Sequence, residues 1–487
     1  MSAVVRSTRR DFLKSTALGT AALAFPASSL FAAANADVAR VAPKTLIIRG
    51  RMFTEGKIVD SGVRIENGSI VAVSSRDLGS AEQVITLTPR QILLPSAIDT
   101  HCSMRDWGEA HRDTVECVTR AALAGGVTVV CDMPNTVPRI NTPELIRKRF
   151  EFVAQRSYTD FGISAHPPVE FDRVSEYPGA GAFSVSLFHW DLRPWNYPRD
   201  IDDSPERFRR FAEVGLTGLV FAEELGLRQT PLEYEAESYA IKALLRRLDP
   251  NFRVRIIATL PDSVERILAE RERLPNALIE AAPHVLLMSK EAGYERIGVA
   301  AAHSPPLRSA ADVARMREFA ERGDIDIFVS SHAAHRTSDK YNTEAIPGEF
   351  TPKVSYSAID FAYPLFLSRF GIERTCRCYC ENPARLLGVR KGRIAPGYEA
   401  DLTIMEQADL TVSEKAIHVT GRVASEVWRV EPTNFYSMGK VTPFVGERLS
   451  YRVAKTFLRG AEVYDAESRT FSRQPVRSVH THESSQS

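Results

Sequence analysis

From Ile92 to Ser330 short apolar runs alternate with amphipathic stretches, and that rhythm limits the fold more than any other feature. The strand-like runs are Ile92–Ile98, Val127–Cys131, Phe161–Ala165, Phe183–Phe188, Gly218–Phe221, Val254–Ala258, His284–Met288 and Ile325–Ser330. Helical stretches lie between most of them. Thr142-Pro143-Glu144 and Ser204-Pro205-Glu206 each place a hydroxyl cap before a proline in the first turn, and Ser309–Glu321 closes on Gly323. Eight strands with intervening helices predict an α/β chain folded as a (β/α)₈, TIM-type barrel. Chemistry in such barrels sits on the loops that follow the strands.

Both flanks of the barrel carry a different, alternating rhythm. Val63–Val73 alternates around Asn67-Gly68, a pair suited to a tight hairpin turn. The β rhythm returns from Lys391, through Gly392, Gly397 and Asp401–Ile404. The expected organisation is therefore a barrel over residues 97–388, flanked by β segments at 37–96 and 389–475, with a loose polar tail at 476–487. At the N-terminus, Arg9-Arg10 precedes Phe12-Leu13-Lys14. Residues 15–36 carry no charge, and Ala34-Asn35-Ala36 has the form of a cleavage site. Residues 1–36 thus have the pattern of a twin-arginine export signal. The expected location is periplasmic or secreted, with no stable membrane anchor once the signal is removed. Its removal takes four Arg/Lys and one Asp, changing the formal net charge from +1 to −2. So balanced a chain is no general nucleic-acid binder. Six Cys in 487 residues do not make a disulfide scaffold. Cys376, Cys378 and Cys380 suit either a local disulfide or a run of small buried residues.

The barrel's strand ends hold a series of motifs. The first reads Ile98-Asp99-Thr100-His101-Cys102-Ser103-Met104-Arg105-Asp106, and the second Asp132-Met133-Pro134-Asn135-Thr136. Pro305-Pro306-Leu307-Arg308-Ser309 and Ser331-His332-Ala333-Ala334-His335 follow, then Asn382-Pro383-Ala384 and the run from Lys391 to Leu402. In this order and spacing the chain resembles the dihydroorotase, allantoinase and hydantoinase branch of the amidohydrolase superfamily. The resemblance covers about residues 44–475. It implies a metal-dependent barrel beside a small split β-sandwich built from both chain ends.

The resemblance also implies two divalent metals held by imidazoles, a carboxylated bridging Lys and an Asp. Here the chain departs from it. The first strand offers His101-Cys102-Ser103 in place of His-x-His. Val220 falls in the Lys position, Ile256–Thr259 in the strand-five His position, and Leu287 in the strand-six position. Ser331 stands for the final Asp. Only His101 survives, and Val and Leu cannot bind a metal. No metal and no other cofactor is expected, and no catalytic residue is assigned. His166, His189 and His303 read as structural or exposed, with no partner visible in sequence to make any of them a base.

What the resemblance implies for substrate binding is retained. Arg105, Asn135 and His335 match the residues that hold the substrate carboxylate in dihydroorotase-like members. A guanidinium fork, an amide and an imidazole make a chemically sound carboxylate shell. The alternative is that Arg105 pairs with Asp106 or Glu109 and that Asn135 caps the turn after Pro134. Three functions remain in order of preference. The first is a metal-free, hydrolytically silent protein that binds a small carboxylated cyclic amide or ureido acid. The second is an active cyclic-amide hydrolase with a rebuilt site, and the third a partner scaffold. A homo-oligomer is compatible with all three.

Overall fold

The computed structural model describes residues 37–188 other than 39, and residues 205–223, 235–341, 354–408 and 428–480. The export signal, His189 and the end of the tail lie outside these residues. Five strands come before the barrel: β1 (Thr45–Thr54), β2 (Lys57–Glu66), β3 (Ser69–Ser74), β4 (Gln83–Thr86) and β5 (Gln91–Pro95). The β2–β3 turn forms at Asn67-Gly68, with φ of 48° and 83°, as its sequence requires. Strands β6 (Ala97–Cys102), β7 (Val127–Asp132), β8 (Asp160–Ala165), β9 (Ala182–Leu187), β10 (Thr217–Val220), β11 (Val254–Ile257), β12 (Ala277–Ala281) and β13 (Ile327–Phe328) follow. These eight pair in parallel in chain order. A parallel bridge between Cys102 and His332 joins the first strand to the segment after the last. The expected (β/α)₈ barrel is present.

After the barrel come β14 (Leu402–Gln407), the short β15 (Trp428–Arg429) and β16 (Arg448–Leu449), then β17 (Tyr451–Leu458), β18 (Ala461–Asp465) and β19 (Thr470–Phe471). β14 lies antiparallel to β5, so both chain ends enter one sheet ordered β19-β18-β17-β14-β5-β1-β2-β3, with β4 beside β1. Leu46, Ile48, Val63, Leu93, Leu402 and Phe457 form its core.

Three expectations need correction. The run Ile92–Ile98 is not one strand: β5 ends at Pro95 in the flanking sheet, and β6 starts the barrel at Ala97. Ser96 is the joint, its N–H donating to Asp401 O at 3.0 Å and its hydroxyl meeting Thr403 Oγ1 at 2.8 Å. Pro95-Ser96 marks the change of sheet, but the apolar residues on both sides let the run read as one strand. Residues 284–287 belong to the helix Pro283–Leu287, and the strand lies earlier at Ala277–Ala281. Pro283 opens that helix in the position where a missing N–H costs nothing. The tail is not loose from Pro475, because Arg477 O accepts from Phe161 N at 3.0 Å and Arg477 N donates to Asp160 at 2.8 Å.

Barrel and sheet are fastened by a buried charge cluster. Lys391 Nζ meets Asp401 at 2.6 Å, Glu399 at 2.7 Å and Asp160, at the start of β8, at 3.0 Å. Arg459 also reaches Asp160. Removing one partner from such a cluster leaves buried charge uncompensated, at a cost of about 3–5 kcal/mol. Lys391→Met should therefore lower the urea midpoint by that equivalent, while Arg452→Met, at an exposed pair with Glu406, should move it by less than about 1 kcal/mol.

Candidate functional site at the barrel mouth

The first strand ends in a strained loop. Arg105, Asp106 and Trp107 all adopt positive φ, at 58°, 69° and 52°. Left-handed backbone costs a non-glycine residue about 1–3 kcal/mol and persists only where its surroundings over-determine it. Here they do. Buried Arg149 donates from Nε to Asp132 at 2.8 Å and from Nη2 to the Arg105 carbonyl at 2.9 Å. The other Asp132 oxygen accepts from Met104 N at 2.9 Å. Asp106 accepts from Trp107 N and Val115 N, each at 3.0 Å. The loop is thereby locked with the Arg105 side chain turned inward, 7% exposed.

Arg105 Nη2 lies 3.2 Å from His335 Nε2, which is also 3.0 Å from Val354 O. That single nitrogen can accept from Arg105 or donate to the carbonyl, not both. Among the described residues, Arg105 Nε and His335 Nδ1 are buried without hydrogen-bond partners. Glu109 is a loose neighbour of Arg105 at 3.9 Å and is itself engaged by Arg112. Asn135 directs Nδ2 to Ser103 Oγ at 3.4 Å, on the same first-strand loop. Two of the three expected anion-binding residues are thus in contact, and the third faces a neighbour. Burial lowers Arg105 to about 10, so it stays charged at neutral pH; burial and the Arg105 charge together hold His335 well below the usual imidazole range. The pair is a cation beside a neutral imidazole. Gly439 packs against this loop so closely that a Cβ there would lie 2.7 Å from His335 N and O.

Beneath the rim the barrel count revises the expected metal positions. Val220 ends β10, the fifth strand, and Phe221 follows it. Residues 254–257 form the sixth strand, and Leu287 lies in the helix after the seventh. On the fourth strand, Ser184 Oγ accepts from Arg255 Nη2 at 3.3 Å. The cavity between these strand ends is lined by His101, Phe221, Ile257, Glu280, His303 and Ser331 among others, and has about 10 Å³ of free volume. His101 Nδ1 lies 2.7 Å from Glu280 Oε1. The other Glu280 oxygen is 3.3 Å from Arg255 Nη1, which also donates to Thr100 O at 2.5 Å. Arg255 and Glu280 are fully buried.

These residues do not fit a binuclear metal centre. Phe and Ile have no donor atom, Ser is a poor neutral ligand, and His101, with Nδ1 on Glu280, could offer a single nitrogen. A guanidinium already neutralises Glu280 from inside the barrel. Among the described residues no three His, Cys, Asp or Glu side chains converge on a point that could hold an ion. His332 is structural, its Nδ1 accepting from Ala358 N at 3.1 Å. All six cysteines are free, and Cys376, Cys378 and Cys380 are buried in and beside a wide helical turn. Arg255 and Glu280 went unnoticed in the sequence, although one opposite charge in each of two adjacent apolar strands was the signal for them.

The parallel eight-stranded barrel carries Arg105 and His335 on the loops that follow its first and eighth strands. The amidohydrolase family model matches residues 281–463. The dihydroorotase of Thermococcus kodakarensis is 29% identical over 87% of this chain and 95% of its own length. That of Syntrophus aciditrophicus is 28% identical over 86% and 99%. The L-hydantoinase of Arthrobacter aurescens superimposes with a TM-score of 0.75 at 22% identity, over 88% of this chain and 99% of its own. The dihydropyrimidinase of Brevibacillus agri gives 0.74 at 20%, over 90% and 98%. These comparisons support a likeness of the chain to the dihydroorotase- and hydantoinase-like branch of the amidohydrolases.

Burial also lowers His284 strongly and His303 to about 3, and the two rings stack at 3.8 Å. A histidine held neutral in the fold binds fewer protons than the unfolded chain below about pH 6.5, so its contribution to stability is present above that pH and is lost as pH falls toward the folded value. The His303 window therefore runs from about 6.5 down to about 3. His303→Asn keeps a donor for Pro305 O, which the ring meets through Nδ1 at 3.0 Å, and removes the titration. Denaturant titrations between pH 7 and 5 should show a slope shallower than wild type by up to about 1.4 kcal/mol per pH unit. Parallel slopes would contradict a neutral buried His303.

Proposed function

We propose that this chain is an exported, dihydroorotase-like protein without the binuclear centre, which binds a small carboxylated cyclic amide or ureido acid at the barrel mouth. It does so without the family's metal-dependent hydrolysis. One observation carries the reading: the Arg105–His335 pair is intact and holds unpartnered donor capacity, while the positions beneath it carry phenyl, alkyl and hydroxyl groups. A ligand carboxylate would take a charge-assisted hydrogen bond from the Arg105 guanidinium and a further one from the imidazole. Asn135, one residue beyond Pro134 on the second strand's loop, completes the shell. Export rests on the N-terminal pattern: Arg9, Arg10 and the uncharged run to Ala36.

Dihydroorotate or carbamoyl-aspartate at about a hundred times its dissociation constant should stabilise the protein by roughly 2.7 kcal/mol, read as a thermal shift. Arg105→Met should weaken that binding at least tenfold, since truncating one side of a buried charged pair costs about 2–5 kcal/mol. Equal shifts in the two proteins would remove Arg105 from the site. Chelators should leave the wild-type melting temperature unchanged, and two zinc ions per chain by elemental analysis would refute the metal-free reading.

Export is tested separately. Replacing Arg9 and Arg10 by Lys should leave precursor in the cytoplasm. Processing of that variant at the wild-type rate would show that another route carries the chain.

A further inference from the structure

We propose that His101, oriented by Glu280 and Arg255, is a metal-independent general base that activates water against the carbonyl of a small cyclic amide or activated ester. The fold gives His101 a carboxylate partner. Glu280 Oε1 lies 2.7 Å from His101 Nδ1, and a carboxylate can only accept, so Nδ1 carries the proton and Nε2 keeps a lone pair. Arg255 lies 3.3 Å from the other carboxylate oxygen and is tied to Thr100 O and Ser184 Oγ. Both positioning groups are fully buried, whereas the His101 side chain keeps 8% of its surface open and lines the cavity. Phe221 packs edge to face against the imidazole at 5.3 Å and fixes its plane. A base needs a buried acceptor on one ring nitrogen and access to the other, and here Glu280 holds Nδ1 while the ring borders the cavity.

The cavity supports water as the reactant. Its 10 Å³ of free volume is about that of one water, and Ser331 lines it beside His101. The parallel bridge from Cys102 to His332 sets His101 and Ser331 level on neighbouring chain segments. Arg105 and His335 each follow those two residues by four positions. A ring whose carboxylate meets Arg105 would therefore lie across the opening, with its carbonyl toward the cavity. Its position rests on the ligand reading proposed above, but the base does not.

In the step, His101 Nε2 takes a proton from water while the water oxygen bonds to the carbonyl carbon. The carbon–nitrogen bond then breaks, and His101 returns the proton to the leaving nitrogen. One ring amide and one water become one carboxylic acid and one ureido or amino group. An ester gives an acid and an alcohol by the same transfers.

The test uses the full chain, dialysed against chelator, with two probes: dihydroorotate, and p-nitrophenyl acetate, which lacks a carboxylate. Chelator-resistant turnover of at least the ester is expected, falling about 100-fold or more in His101→Gln. Added imidazole should restore part of it to His101→Gly. Glu280→Asp should retain more activity than Glu280→Gln. Because Glu280→Gln strips Arg255 of its partner and risks unfolding, the decision rests on His101→Gln with its fold checked by circular dichroism. No chelator-resistant turnover of either probe, or equal rates in folded His101→Gln, overturns the base. Ester turnover without a thermal shift from dihydroorotate keeps the base and overturns the ligand reading, and a shift without turnover does the reverse.

Discussion

The ion pair between Arg255 and Glu280 organises the barrel interior. A carboxylate sealed between parallel strands is costly to desolvate and holds only where an opposite charge and further hydrogen bonds meet it. Arg255 supplies the charge, and His101 the remaining hydrogen bond. The guanidinium is in turn held by Thr100 O and Ser184 Oγ, which come from the first and fourth strands. Charge balance inside this barrel is therefore met by a covalent part of the chain. Divalent cations brought beside that guanidinium would meet like charge in a low-dielectric interior, where repulsion is strongest. Absent donors and the internal cation argue in the same direction.

The rim works by a different principle. Three consecutive residues with positive φ are stored strain, and Arg149 and Asp132 hold them in place. Such strain is maintained where a side chain must point in a direction that relaxed backbone would not give it. The side chain so aimed is Arg105. His335 is set by the close approach of Gly439 and by the Val354 carbonyl. Interior and rim thus differ: the rim holds Arg105 beside His335 on a strained loop, and the interior pairs Glu280 with Arg255.

Much of this was legible in the sequence. The alternation of strand and helix gave the barrel, because a parallel sheet buried on both faces needs short apolar runs at helix-long intervals. Arg105, Asn135 and His335 were legible through motif order. The joint at Ser96 was not, since residues 92–98 are apolar on both sides of it. Nor was the helix Pro283–Leu287, because five apolar or aromatic residues fit a strand as well as a buried helix turn. The expected fifth-strand His position, Ile256–Thr259, falls at the sixth strand, and the expected sixth-strand position, Leu287, falls in the helix after the seventh. The Arg255–Glu280 pair was hidden for another reason. Each residue looks like a lone charge in its own strand, and only the barrel brings the two together.

Phe221 shows why the interior is repacked as well as short of ligands. Its ring stacks on Phe188 at 4.6 Å and stands edge-on to His101 at 5.3 Å. Met133, Leu219 and Ile257 complete the same apolar cluster. Two metals, a bridging group and an attacking water need several atoms' worth of space between the strand ends, and side chains occupy it here to within about 10 Å³. Restoring one donor, such as an Asp at Ser331, would place a carboxylate beside apolar side chains with no cation to meet it. A donor at Phe221 would open a cavity at the cost of the aromatic packing that fixes the imidazole. A barrel packed in this way can still do chemistry, but only with groups small enough to act in the room left beside His101.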